Sequence, residues 1–131
     1  MSEARIEEGV RRALEAAPAG VVAAYLYGSR ARGTDRPESD LDLAILLDRT
    51  PPATLRTVAR QVEDAVERAL RITTQVVTLN TSAPDLTHRV LRDGIVVLDR
   101  DRPARLRFEV RARNEYFDLA PLRRLYRRLP A

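Results

Sequence analysis

Along this 131-residue chain the spacing of apolar positions changes several times, and each change marks an element. Within 3–17, Ile6, Val10, Ala13, Leu14 and Ala17 recur in steps of three and four among charged neighbours, the period of a one-faced helix, which Pro18 and Gly20 end. Residues 21–27 form a short, nearly unbroken apolar run with glycine on both sides and predict a buried strand. The chain turns at Gly28-Ser29, and after a polar stretch with Gly33 and Pro37, Leu41, Leu43, Ile45 and Leu47 alternate through a second strand. Thr50-Pro51-Pro52 reads as a helix start, with Thr50 as the cap and proline in the first turn. Leu55, Val58, Val62, Val66, Ala69 and Leu70 then predict a long amphipathic helix against one face of a sheet. The β-branched run at 73–79 predicts a third strand. Ser82-Ala83-Pro84-Asp85 and Gly94 bracket a short helix over 83–93, residues 95–98 form a fourth strand, and 102–115 return to a helix with Leu106, Phe108 and Val110 among arginines. This order predicts an α/β fold, a small mixed β-sheet flanked by helices.

Length allows one core, read as a domain over 1–100 followed by a basic helical segment over 101–131. All 23 basic residues are arginine, and their placement is uneven: residues 1–99 carry 13 arginines against 15 acids, residues 100–131 carry 10 against 4. A basic tail on a near-neutral body points to an acidic protein face ahead of nucleic acid, which is the disfavoured partner. In that tail Leu122, Leu125, Tyr126 and Leu129 share one helical face after Pro121, with Arg123, Arg124, Arg127 and Arg128 elsewhere. Packing onto the body and docking a partner both suit such a helix. The chain has no cysteine, which excludes disulfides and thiolate metal sites and argues against zinc. No apolar run approaches a membrane span and the first ten residues are charged, so the expectation is a cytoplasmic protein with no membrane partner.

The chemistry concentrates in two places. Gly28 and Ser29 end a strand in a turn, where a close backbone approach, free N–H groups and a hydroxyl suit an anionic phosphate. Asp40 and Asp42, two residues apart at the head of the next strand, project the same way and are hard oxygen ligands suited to Mg²⁺. A nucleotide triphosphate bridging the two would react mainly through positioning and charge stabilisation. Either motif alone is commonplace, a turn or a solvated strand edge; the information is in their order. His88 reads as a lone surface histidine, and Tyr25 and Tyr27 as core or sheet-face residues.

The stretch Gly28-Ser29-Arg30-Ala31-Arg32-Gly33-Thr34, followed by Ser39-Asp40-Leu41-Asp42-Leu43, resembles the signature of the DNA polymerase β-like nucleotidyltransferase superfamily, and most closely its minimal, antitoxin-type branch encoded beside HEPN-domain ribonuclease toxins. The resemblance runs from about residue 20 to the C-terminus. It implies the polymerase β-like nucleotidyltransferase fold and an enzyme that uses Mg²⁺ and ATP as substrate to move AMP onto a tyrosine hydroxyl of a HEPN-type toxin. By position, it implies that Gly28 and Ser29 hold the triphosphate, that Asp40 and Asp42 are catalytic and hold the metal, and that Arg32 steadies phosphate oxygens. Ser39 either contacts phosphate or caps the local turn. A homo-oligomer is compatible with all of this.

One departure qualifies the activity. The family's third strand commonly carries acids where Gln75 and Thr78 stand here, and an amide is a poorer ligand than a carboxylate and accepts no proton at neutral pH. A weakly active or inactive antitoxin that works by binding alone, and a small-molecule nucleotidyltransferase, are the alternatives.

Overall fold

The computed structural model describes residues 2–28, 40–50, 56–118, 121 and 124. Four strands form one sheet: β1 (Val21–Tyr27), β2 (Leu41–Leu47), β3 (Thr74–Thr78) and β4 (Ile95–Asp99), in the order β3-β2-β1-β4. β1 pairs antiparallel with β2 and β4, while β2 and β3 run parallel, so the expected mixed sheet is what forms. The parallel pair requires a crossover, and α2 (Thr57–Leu70) supplies it.

Alternation along β2 sorts the helices onto two faces. Leu41, Leu43, Ile45 and Leu47 point to one side, where they meet Ile6, Val10 and Leu14 of α1 (Glu3–Leu14) and Ala59, Val62 and Val66 of α2. Ala44 and Leu46 point to the other, against Val90 of α3 (Pro84–Asp93) and Ala104 and Phe108 of α4 (Arg102–Asp118). With apolar positions on both faces, β2 is buried along nearly its whole length. Asp42 is the exception, half-buried near the strand's open end.

The edges are finished by polar side chains. β3 is an outer strand, and two α2 glutamates cover it: Glu67 Oε1 accepts from Thr74 N at 2.9 Å and Glu63 Oε1 from Val76 N at 3.0 Å. Asn80 closes the far end of β2, donating to Leu47 O and accepting from Leu47 N, both at 2.9 Å. That clasp turns the chain, so Leu79 leaves the expected third strand for a 3-10 turn over Leu79–Thr81. Arg100 performs a similar task for α1, donating to the carbonyls of Ala17 at 2.9 Å and Pro18 at 2.7 Å beyond its C-terminus.

Helix limits differ from the periodic reading where packing overrides local signals. α1 stops at Leu14, its last buried position, three residues short of the expected end. Arg56 is non-helical and α2 begins at Thr57, so Thr50 does not cap it; the helix starts close to its first buried residue, Ala59, because short helices draw their stability from packing. The start expected at 51–55 lies outside the described residues. α3 follows Ala83, without a side-chain cap bond, because the Ser82 hydroxyl donates to Thr78 O at 2.9 Å instead. α4 continues to Asp118, and the tail helix expected over 122–129 falls, but for Arg124, outside the described residues.

Candidate active site

The site lies where β1 ends and β2 and β3 begin. Antiparallel pairing sets Tyr27 opposite Asp42, and parallel pairing sets Gln75 beside Asp42 on the other flank. Three side chains from three strands therefore share one row at one end of the sheet. Asp40 stands just before β2, exposed, and accepts a long hydrogen bond of 3.4 Å from Gln75 Nε2. Asp40 and Asp42 thus stand at the same end of β2, with Gln75 beside both.

Gly28 closes the row. It has φ +80°, the left-handed region in which side chains are strained, and a Cβ placed there would stand 2.5 Å from Asp42 Oδ2. The turn can press its backbone against a carboxylate only because no side chain intervenes. Ser29, Arg32 and Ser39, the other residues expected to contact phosphate, lie outside the described residues.

Electrostatics agrees with the crowding. Burial pushes the Asp42 carboxyl up from its ordinary value, repulsion from Asp40 adds to this, and Arg89 of α3 opposes it. Burial likewise pushes the Tyr27 phenol up, helped by the Asp42 charge and again opposed by Arg89. Repulsion between two carboxylates is what a divalent cation relieves. Among the described residues no group of three or more histidine or carboxylate side chains could hold a metal, and those at this end of the sheet offer two carboxylates beside a neutral amide. That set fits Mg²⁺, which commonly takes one or two carboxylates and fills its remaining positions with substrate phosphates and water.

Two neighbours escaped sequence reasoning. Tyr27 reads as a sheet-face residue until the β1–β2 register puts it beside Asp42. Arg89 carries no signal at all, because only the placement of α3 brings its charge to bear on Asp42 and Tyr27. His88 is less isolated than it reads: its ring stacks on Tyr116 with centroids 3.7 Å apart, tying α3 to α4. A groove of about 310 Å³ between the 3-10 turn, α3 and α4 is lined by Asn80, Thr87, Phe108 and Arg111, at the opposite end of β2 and β3 from the carboxylates.

Residues 10–103 match the family model described as polymerase beta, nucleotidyltransferase. Among solved structures, the chain resembles one from a toxin–antitoxin crystal with AMP-PNP, at 22% identity and TM-score 0.76, over 92% of this chain and 94% of that one. It also resembles a chain from the complex of tri-AMPylated HEPN toxin of Shewanella oneidensis with MNT antitoxin, at 18% identity and TM-score 0.72, over 95% of both. A third, from the MntA–HepT toxin–antitoxin crystal, gives 19% identity and TM-score 0.71 over 94% of both. At these identities the likeness is one of fold. No curated relative matches the chain.

Proposed function

The chain belongs to the polymerase beta nucleotidyltransferase family, and from that premise we propose that it transfers AMP from ATP to a tyrosine hydroxyl of a cognate HEPN-type toxin, and so neutralises it. The observation that carries this reading is the row at the sheet end: Gly28, free of a side chain, pressed against Asp42, with Asp40 beside it. Support for the partner comes from the solved relatives, which are antitoxin-type chains in toxin complexes, one of them with a tri-AMPylated HEPN toxin.

In this reading Asp40 and Asp42 hold a Mg²⁺ ion, which when bound supplies charge to the triphosphate and orients it. Gly28 and Ser29 carry the phosphates on backbone N–H groups and a hydroxyl, and Arg32 and Ser39 steady their oxygens. The acceptor oxygen bonds to the α-phosphorus, the bond to the bridging oxygen breaks, and pyrophosphate leaves. The hydroxyl proton passes to solvent water, since neither Gln75 nor Thr78 accepts one at neutral pH. Residues 1–100 form the catalytic core, and 101–131 form the segment that meets the partner. The chain works in the cytoplasm. Among the described residues no helix is long and apolar enough to cross a membrane.

The neutral Gln75 beside Asp42 favours a second reading, an antitoxin that acts by occlusion with little or no transfer. One experiment separates the two: incubation with α-labelled ATP and Mg²⁺, label and intact mass being read on proteins that co-purify with the tagged chain. Label on a partner with wild type, and none with the Asp40→Asn, Asp42→Asn double variant, is the expected result. A partner that co-purifies without label from either form replaces transfer with occlusion, and the absence of any co-purifying partner removes the antitoxin reading.

A further inference from the structure

Among the described residues, the charge at this end of the sheet is set by few groups. Asp40 and Asp42 bring two negative charges, and Gln75, in register with Asp42, brings none. Arg89 from α3 acts on Asp42 with the opposite sign. Sites that hold two metal ions keep them about 3.5–4 Å apart and need anionic oxygens between and around them to offset the repulsion of two dications. Here the position flanking both aspartates is occupied by an amide whose N–H end is turned onto Asp40 Oδ2, 3.4 Å away. That N–H takes up a carboxylate lone pair and presents positive hydrogen where a second cation would need negative oxygen.

We infer that the site takes one divalent cation per chain, on Asp40 and Asp42, and that Gln75 is a positioning residue whose amide holds Asp40 and keeps a second cation out. This rests on the nucleotide-site reading above and adds the number of ions and the residue that sets it. Gln75 is exposed, so a carboxylate fits at its position without repacking a core.

The test uses Mn²⁺ as the probe, titrated into the full-length chain with one equivalent of a non-hydrolysable ATP analogue and followed by electron paramagnetic resonance. Wild type is expected to bind one Mn²⁺ per chain, with the spectrum of an isolated ion. Gln75→Asp, and separately Gln75→Glu, are expected to bind two, the second at least about tenfold more tightly than any second ion on wild type, with the spectrum of a coupled pair. The Asp40→Asn, Asp42→Asn double variant reports what the analogue binds unaided, and melting curves establish that each variant is folded. A coupled pair on wild type, or one isolated ion on both Gln75 variants, overturns the inference. The two readings fail separately: one ion on wild type without label transfer leaves the ion count standing and removes catalysis, while label transfer by a wild type that holds a coupled pair does the reverse.

Discussion

A single methyl group at position 28 tests the narrowest point of the site. In the left-handed conformation a residue with a Cβ costs about 1–2 kcal/mol more than glycine, and here that atom would stand 2.5 Å from Asp42 Oδ2. Gly28→Ala is expected to lower unfolding free energy by about that amount in urea titrations. Because the Asp42 carboxylate must swing aside, affinity for a magnesium-bound ATP analogue should fall more steeply, by at least about tenfold or roughly 1.4 kcal/mol, measured calorimetrically. Equal losses in stability and binding would mean that the carboxylate does not move. Of the residues on this row, Gly28, Asp40 and Asp42 were legible from spacing and type, and Gln75 only through the family resemblance. Tyr27 and Arg89 were not, since one is placed by strand pairing and the other by helix packing.

At the scale of elements, α4 is fastened to the sheet by a buried polar cluster. Tyr25 of β1 donates to Glu109 Oε2 at 3.0 Å, and Arg105 ties Glu109 to Asp99 at the end of β4. Burial raises the Tyr25 phenol well above its usual range, and the charge and hydrogen bond of Glu109 add to it. A group whose folded pKa is raised contributes stability that is complete below its unfolded pKa, about 10 for tyrosine, and is lost as pH rises through the folded value. Denaturant titrations from pH 8 to 11 should therefore show stability falling above about pH 10, with most of that fall removed in Tyr25→Phe. At pH 8 the same substitution should cost about 1.5–3 kcal/mol, the range for a hydrogen bond to a charged group. Away from Ala104 and Phe108, which pack on the sheet, α4 carries Leu106, Val110 and Phe117, all exposed, at helical spacing along one stripe with Arg113 between. If the C-terminal segment meets the partner there, Val110→Glu leaves the melting temperature within about 2 °C of wild type and strongly reduces co-purification.

For the molecule as a whole, the sheet divides its labour by end and by face. The carboxylate row occupies one end of β2 and β3, while Asn80 and the 3-10 turn close the other, so the row is built jointly from β1, β2 and β3. A ligand that binds only the folded state stabilises it by about 2.7 kcal/mol at one hundred times its dissociation constant. Mg²⁺ with a non-hydrolysable ATP analogue should thus raise the melting temperature of wild type by several degrees, and by less than one degree in the Asp40→Asn, Asp42→Asn double variant. Calorimetry of both forms, with and without ligand, checks this, and an equal rise in both would put the nucleotide elsewhere.

The sequence alone determined the element order, the mixed α/β class and the carboxylate pair. These are local properties: a two-residue or 3.6-residue period, a glycine after an apolar run, and two acids separated by one residue, each written in a few adjacent positions. It overran α1 by three residues, because helix ends are decided by where buried contacts begin and stop. Tertiary structure alone decided that β3 lies parallel beside β2 with Gln75 level with Asp42, that the charge of Arg89 acts on Asp42, that His88 stacks on Tyr116, and that Arg100 gathers the carbonyls beyond α1. Each of these joins residues from different elements, and such partners follow from register and packing, which no window of sequence contains.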